Sequence, residues 1–271
     1  MRIVHRYTVN AGDRERADLR RAGIEIGPGL VTFEIEESDA RWPAVEAWVV
    51  ERQPVDVVRT EWTDAEIAAA DWLALRPDWH HGYPQPEEGF RYLDVTYDRT
   101  DACDACGMGR RQKAPFRMKG EPKWGSRGIL QLNWVFDEFF VRPDVWRDVF
   151  APLGVASRPV LDRADRELAT VVQLAADEEV PLDLSRPGEV CAACGRVRYP
   201  PPTRGPLPSL AAAPKGHIAR SRESFGSGAS SWRVILISQE LARAMGAARV
   251  KGASLAPIES LPSGPDPRRH S

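Results

Sequence analysis

The four cysteines of this 271-residue chain form two pairs of identical spacing, CDACG at 103–107 and CAACG at 191–195. Each C-x-x-C places two thiolates at neighbouring corners of a tetrahedron, so two such pairs complete a four-cysteine zinc site. The glycine after each pair can adopt a positive φ without Cβ strain, which lets backbone N–H groups turn toward sulfur. Because four thiolates leave no open coordination position, the predicted Zn²⁺ is structural rather than catalytic. Its predicted ligands are Cys103, Cys106, Cys191 and Cys194.

The spacing between the two pairs leaves an alternative open. The second pair begins 88 residues after the first, whereas paired C-x-x-C zinc sites usually have about 15–20 residues between the pairs. A shared site therefore requires a long insertion between the two knuckles. The alternative is a redox C-x-x-C or unrelated buried thiols. A thioredoxin-like motif lies in a strand-and-helix context, but neither GRRQKAPF nor GRVRYPPP, which follow the pairs, is typical of a helix.

Other residues that could carry chemistry form weaker patterns. His80 and His81 lie near two glutamates in a Trp-, Tyr- and Pro-rich segment, but no third ligand or nucleophile has a suitable spacing. Asp137 and Glu138 are adjacent in an extended apolar segment, so we expect their side chains to point to opposite faces and not to share a substrate. The chain also has no phosphate-loop, dinucleotide-binding, zincin or nucleophile-elbow motif. We therefore predict no catalytic residues and no enzymatic activity.

Residues 107–128 combine seven basic residues, opposed by Glu121 alone, with Phe116 and Trp124. Basic and aromatic side chains together can bind single-stranded nucleic acid by charge and stacking. The competing interpretation is a solvated loop whose cations are attracted to the negative thiolate site. The whole chain has 37 Lys+Arg against 39 Asp+Glu, and this balance argues against a general polyanion binder. We therefore do not expect nucleic acid as a partner, and keep a zinc-ribbon regulator as the alternative function.

Composition and charge define the broad class of protein. Apolar residues make up 42% and charged residues 28% of the chain, as in soluble globular domains. No apolar run approaches the ~20 residues needed to span a bilayer. The first residues, MRIVHRYTVNAGDRER, contain no apolar signal region, so we expect a cytoplasmic protein without membrane contact. Residues 1–100 hold 12 basic and 20 acidic residues, whereas residues 101–271 hold 25 and 19.

Hydrophobic periodicity predicts an α+β fold, with a small N-terminal α/β layer and a mixed-sheet region in which two zinc knuckles form one four-cysteine site. The predicted division is an acidic α/β region at 1–90, a zinc-knuckle-containing α+β domain at 91–261 and a disordered tail at 262–271. In the first region we predict strands at 3–9, 30–36 and 55–62, and helices at 13–21, 40–51 and 63–75, the last opening on a Thr63–Glu66 capping box. Later predicted elements are strands at 91–98, 168–184 and 232–238, an apolar segment at 129–141, helices at 144–154 and 239–247, and a mobile loop at 221–231.

The doubled knuckle with its long insertion resembles the double-CXXCG motif proteins that are abundant in myxobacteria. Three further stretches are similar to that family, WHHGYPQPEE at 79–88, LNWVFDEFFV at 132–141 and RESFGSGASSWRVILISQELARAMG at 222–246. The similarity extends from about residue 60 to residue 258 and leaves the first 60 residues unassigned. Members of the family are assigned as immunity proteins for toxins used in kin discrimination. The resemblance therefore implies a metal-binding toxin inhibitor whose partner is a cognate protein toxin, and it supplies no catalytic residues.

An inhibitor of this kind needs a binding surface rather than a reaction centre. Toxins that attack nucleic acid are commonly basic around their substrate groove, and an acidic surface can match that charge and speed encounter. We therefore predict toxin contacts in the acidic region, with aromatic side chains as rigid anchors. The competing interpretation is that the acids form a solvated face and that Trp79 is core. The predicted contact residues are Glu34, Glu36, Glu37, Trp79, His80, His81 and Tyr83.

Overall fold

The computed structural model describes residues 1–185 and 187–260, which form two compact units. The first unit comprises Met1–Glu66 with Pro202–Pro206, and the second comprises Ile67–Pro201 and the described residues from Leu207 onward. The sequence predicted a division after residue 90, whereas the contacts divide the chain after Glu66. The tail predicted at 262–271 lies outside the described residues.

Three antiparallel strands and two helices build the first unit, with β1 at the centre of the strand order β2-β1-β3. Alternation along β1 turns Tyr7 and Val9 into a core with Leu19 of α1 and with Val45 and Trp48 of α2. This confirms the strands predicted at 3–9, 30–36 and 55–62 and the helices predicted at 13–21 and 40–51. The elements are β1 Arg2–Ala11, α1 Asp13–Arg21, β2 Gly29–Glu36, α2 Trp42–Arg52 and β3 Val55–Glu61, and α3 Asp64–Ala69 follows.

Four sheets form the framework of the second unit. The largest has the order β11-β14-β17-β4-β18, and the others are β7-β8-β10-β9, β12-β13-β15-β16 and β5-β6. Strands β11 and β14 are parallel, as are β13 and β15, whereas the other pairs are antiparallel. These mixed sheets and the helices confirm the α+β class. The strands are β4 Trp72–Pro77, β5 Tyr97–Asp98, β6 Arg111–Gln112, β7 Ile129–Leu130, β8 Phe140–Val141, β9 Ser157–Leu161, β10 Glu167–Leu174, β11 Glu179–Val180, β12 Glu189–Val190, β13 Val197–Tyr199, β14 Ile218–Ser221, β15 Ser224–Ser227, β16 Ser230–Trp232, β17 Ile235–Ser238 and β18 Ala253–Pro257.

The helices of the second unit are short and lie between the strands. Leu241 and Met245 of α6 pack into the same core as β4 and β17. Helical turns run from Pro143 to Leu153 and end at Gly154, where φ is +73°, which confirms the helix predicted at 144–154. The helical segments are Glu88–Phe90 (3₁₀), α4 Tyr92–Thr96, α5 Pro143–Val145, Trp146–Phe150 (π), Ala151–Leu153 (3₁₀) and α6 Gln239–Ala247.

Helix α3 begins as predicted but is shorter than predicted. Thr63 Oγ1 accepts a hydrogen bond from the N–H of Glu66 at 3.2 Å, and the Glu66 carboxylate accepts one from the N–H of Thr63 at 2.9 Å. This is the predicted capping box. The prediction of a helix as far as residue 75 was wrong, because Trp72–Pro77 is a strand paired on one side with β17 and on the other with β18.

Two further predictions of local structure in the second unit were wrong. Residues 91–98 were expected to form a strand, but Tyr92–Thr96 is helical and only Tyr97–Asp98 pairs with β6. Residues 221–231 were expected to be a mobile loop, but β15 and β16 form an antiparallel hairpin there, with Phe225 fully buried. The helical turn and the hairpin are both closed by local hydrogen bonds. Strand β15 also pairs in parallel with β13, which lies outside the predicted loop.

Candidate metal centre

Each cysteine pair forms a knuckle with the same backbone hydrogen bonds. In the first, the N–H of Gly107 donates to the carbonyl of Cys103 at 2.7 Å, and the N–H of Cys103 donates to Met108 at 2.9 Å. In the second, the N–H of Gly195 donates to the carbonyl of Cys191 at 2.8 Å, and the N–H of Cys191 donates to the residue after that glycine at 2.9 Å. The two glycines have φ values of +74° and +71°. The predicted requirement for a positive φ after each pair is therefore confirmed.

The four sulfur atoms meet at one point despite the long insertion. Cys103, Cys106, Cys191 and Cys194 present ligand atoms that all lie within 4.8 Å of one another. The Sγ atoms of Cys103 and Cys191 are 3.9 Å apart, and those of Cys106 and Cys194 are 3.7 Å apart. These separations are too long for disulfide bonds, whose sulfurs are ~2.05 Å apart. They match the S···S edge of about 3.8 Å in a tetrahedron with metal–sulfur bonds of ~2.3 Å.

The thiols of Cys106 and Cys191 lie in different electrostatic surroundings. Backbone N–H groups of Ala193 and Cys194 lower the pKa of Cys191 to about 7. Burial raises the pKa of Cys106 to about 12, because a thiolate loses hydration there. A bound cation would offset that loss by stabilising the thiolates directly. The arrangement can therefore hold a metal ion through four sulfur ligands.

Contacts between protein groups also hold the knuckles together. Arg196, which directly follows the second knuckle, donates to the carbonyl of Asp101 at 2.7 Å and to that of Met108 at 3.3 Å. Arg110, which follows the first knuckle, donates to the carbonyl of Gly107 at 3.0 Å and to that of Ser231 at 3.2 Å. Charge-assisted hydrogen bonds of this kind are stronger than neutral ones. Arg196 thus links the second knuckle to the residues around the first, whereas Arg110 links the first knuckle to β16.

Much of the basic segment at 107–128 is engaged within the second unit. Phe116 is fully buried, and Trp124 donates its indole N–H to the carbonyl of Thr170 at 2.8 Å. Besides Arg110, the Arg117 guanidinium lies 2.6 Å from Asp165 and the Arg127 guanidinium lies over the Trp79 ring. The segment therefore does not offer Phe116 as a stacking ring, and three of its seven cations have partners.

The acidic residues predicted to contact a partner are paired with basic residues of their own unit. Glu34 contacts the Arg59 guanidinium through both carboxylate oxygens at 2.8 Å, and Glu36 contacts Arg2 at 2.8 Å. Glu37 lies 3.0 Å from His5 and 2.6 Å from Arg204. This part of the first unit is therefore compensated in charge rather than strongly acidic.

The predicted aromatic anchors divide into buried and exposed side chains. Trp79 is half-buried against Trp124 and packs on the core of the second unit. His81 is partly buried, and that burial lowers its pKa, whereas His80 is exposed. Tyr83 is 41% exposed, with its ring centroid 4.3 Å from that of Trp134. Tyr83 is therefore an exposed aromatic side chain that packs against a second exposed aromatic side chain, Trp134.

The second unit also contains a polar cavity of about 430 Å³ that no sequence motif indicates. Asp137 and Glu138 both line it, so the expectation that they face opposite sides was wrong. The reason is local, because residues 137–138 do not belong to a strand. Glu138 is buried, accepts from the Gln173 amide at 2.8 Å and lies 3.2 Å from Arg220. Burial raises the pKa of Glu138 even though Arg220 opposes that effect.

Two further ion pairs line this cavity. Arg158 lies 2.5 Å from Asp177, and Arg233 forms an ion pair with Glu179. Gln112 and Gln173 donate to each other at 2.9 and 2.7 Å. Beneath these exposed ion pairs, a largely buried network joins Gln112 to Gln173, Gln173 to Glu138, and Glu138 to Arg220. A network whose members satisfy one another rigidifies the surrounding core. No local sequence signal indicates it, because its members come from four separate segments.

Comparisons with protein-family models, with curated proteins and with solved structures give no match for this chain. Among the residues that the structure describes, no helix has the combined length and apolar character that a bilayer crossing requires.

Proposed function

We propose that this protein is a cytoplasmic immunity protein that binds and neutralises a cognate bacterial toxin, and that its four cysteines hold a structural Zn²⁺. The observation that carries the proposal is the doubled knuckle, in which two C-x-x-C-G loops of equivalent hydrogen bonding bring four sulfurs within 4.8 Å. This doubled motif is also the feature through which the sequence resembles the double-CXXCG immunity proteins.

The donor set supports zinc as the metal. Four thiolates in a tetrahedron are a preferred ligand set for Zn²⁺, and they leave no coordination position for a substrate. The S···S separations of 3.7 and 3.9 Å fit that geometry. In a reducing cytoplasm such thiols stay available for a metal rather than forming disulfides. The ion would then stabilise the fold by fixing the start and the end of the insertion.

A binding role is better supported than a catalytic one. Three of the four carboxylates that line the polar cavity form ion pairs with arginine side chains, namely Glu138, Asp177 and Glu179. The fourth, Asp137, accepts a hydrogen bond from the backbone N–H of Arg233 at 3.4 Å. Catalytic acids and bases need a free proton-transfer geometry toward a substrate. An immunity protein needs none, because it acts by occupying or distorting the active site of its toxin.

The alternative, a zinc-ribbon regulator that binds nucleic acid, has weaker support. It depends on residues 107–128, where Phe116 is buried and Arg110, Arg117 and Arg127 contact groups of the protein itself. Stacking on bases requires exposed rings beside free cations. The segment offers this combination only in part.

Co-expression tests the proposed function. The reading frame next to the gene of this protein would be expressed from an inducible promoter, with and without the protein, in a host that lacks both. We expect induction to stop growth and the protein to restore it, whereas an unrelated toxin of similar potency should remain lethal as the control. Equal killing in the presence of well-expressed protein would contradict the proposal.

A further inference from the structure

The exposed aromatic side chains of the second unit are gathered at one place. Among the described residues, four Phe, Tyr or Trp side chains are exposed, with exposed fractions of 36–51%. The ring centroid of Trp134 lies 4.3 Å from that of Tyr83 and 4.6 Å from that of Phe90. Phe136 follows two residues later and lines the same groove as Trp134 and Phe90. We call this group the aromatic platform; it consists of Tyr83, Phe90, Trp134 and Phe136.

The backbone of the platform is held in an unfavourable conformation. Phe90 has a φ of +57° and Trp134 a φ of +67°, values that are outliers for bulky residues. The neighbouring turn is fixed by Asn133, whose backbone N–H and side-chain amide both donate to the carbonyl of Gly82, at 2.9 and 2.8 Å. Strain of this kind persists only where the surroundings enforce it, and it clusters at functional sites.

The groove beside the platform has an acidic rim. It encloses about 610 Å³ and reaches the first knuckle at Cys103. The rim segment, residues 87–104, contains six acidic residues and two arginines. Asp94 and Asp104 line the groove and pair with Arg99, which lines it together with Arg110, so these two acids are compensated in charge. The net negative charge of the rim segment comes from its other acids, among which Glu88 is exposed and has no ion-pair partner among the described residues. Exposed rings in an acidic surrounding attract cationic groups and repel phosphate.

We propose that the aromatic platform is the surface that binds the toxin, and that it receives a protein surface in which arginine or lysine side chains stand among apolar ones. This inference rests on the proposed function and assigns its contact surface. Guanidinium groups stack on Trp and Tyr faces, and the acidic rim complements their charge. Aromatic side chains also dominate the binding energy of protein interfaces. Exposed apolar clusters with a polar rim are typical of such interfaces.

Glycine substitutions separate binding from folding at this surface. Trp134→Gly and Phe90→Gly remove a ring and relieve the positive φ, so the variants should fold. Titration calorimetry would measure their Kd for the purified toxin against which the wild-type chain protects cells. We expect the Kd to rise at least about 30-fold for Trp134→Gly. As matched controls, Leu30→Ala and Val57→Ala remove exposed apolar side chains of the first unit and should leave the Kd within about twofold of the wild-type value.

Charge reversal tests the rim independently. Glu88 is exposed and takes part in no salt bridge among the described residues. Glu88→Lys should slow association several-fold at low salt, and Glu167→Lys, on the exposed surface of β10, should not.

If the folded platform variants bind the toxin with the wild-type Kd, the platform is not the contact surface, although the proposed function stands. If the wild-type chain binds no toxin, both fail. Binding of a 12-nucleotide single strand that is lost in Trp134→Gly, with the toxin Kd unchanged, would replace the protein partner by nucleic acid.

Discussion

Replacing the glycine after each cysteine pair by alanine is expected to destabilise the two knuckles unequally. Both glycines have φ near +70°, and alanine in the left-handed region costs about 1–2 kcal/mol. At Gly195 an added Cβ meets no atom within 4 Å, so this conformational cost is the whole effect. At Gly107 the same Cβ would lie 2.5 Å from the carbonyl oxygen of Ala229 and 3.2 Å from the N–H nitrogen of Ser231. Relieving such an overpacked contact costs about 1–3 kcal/mol more.

The expected losses are therefore about 1–2 kcal/mol for Gly195→Ala and about 2–5 kcal/mol for Gly107→Ala. Urea denaturation followed by far-ultraviolet circular dichroism, with zinc in excess, would give both free energies of unfolding. Asparagine is the control, because it tolerates a positive φ better than alanine. Gly195→Asn should recover part of the loss, and Gly107→Asn should not. Equal losses for the two alanine variants would refute the packing of the β15–β16 turn against the first knuckle.

Three further predictions concern the metal, the buried network and the first unit. Protein purified without chelators should contain about one zinc per chain by elemental analysis, and changing any one cysteine to serine should lower both zinc content and stability; metal-free wild-type protein would contradict this. Glu138→Ala leaves the largely buried Arg220 without its carboxylate and should lower the free energy of unfolding by about 3–5 kcal/mol in urea denaturation, whereas Glu138→Leu with Arg220→Met should cost less than that single change. Arg41 donates to Asp39 from its side chain and backbone and lowers the pKa of Asp39 from 3.8 to about 2. The stabilising effect is present above about pH 4 and lost toward pH 2, so the difference in Tm between wild type and Asp39→Asn should vanish over that range.

The four-cysteine cluster was predictable because its requirements are local. Each C-x-x-C-G loop carries its own geometry, and a metal with four ligands needs both loops whatever the length of the insertion. The first unit was predictable for a similar reason, since the alternation along β1 and β2 and the first turn of α1 are properties of contiguous residues. The α+β class follows from these elements.

The remaining features depend on partners far away in the sequence. Strand β4 pairs with β17 and β18, more than 150 residues later. The capping box at Thr63 indicates a helix and does not indicate this strand pairing. In the aromatic platform, Tyr83 and Phe90 pack against Trp134, although the residues of the first knuckle lie between them in the sequence. Glu138 and Arg220, which are 82 residues apart, form an ion pair in the second unit. Tertiary pairing overrides local propensity at such places.

The most direct test of toxin neutralisation measures the activity of the purified toxin as the purified protein is added. Toxin identified by the co-expression experiment would be titrated at a concentration well above the Kd, with its own substrate as the reporter. We predict a linear fall in activity that reaches zero at a fixed molar ratio and requires zinc-loaded protein. Full toxin activity in the presence of excess folded, zinc-loaded protein would contradict the proposed function.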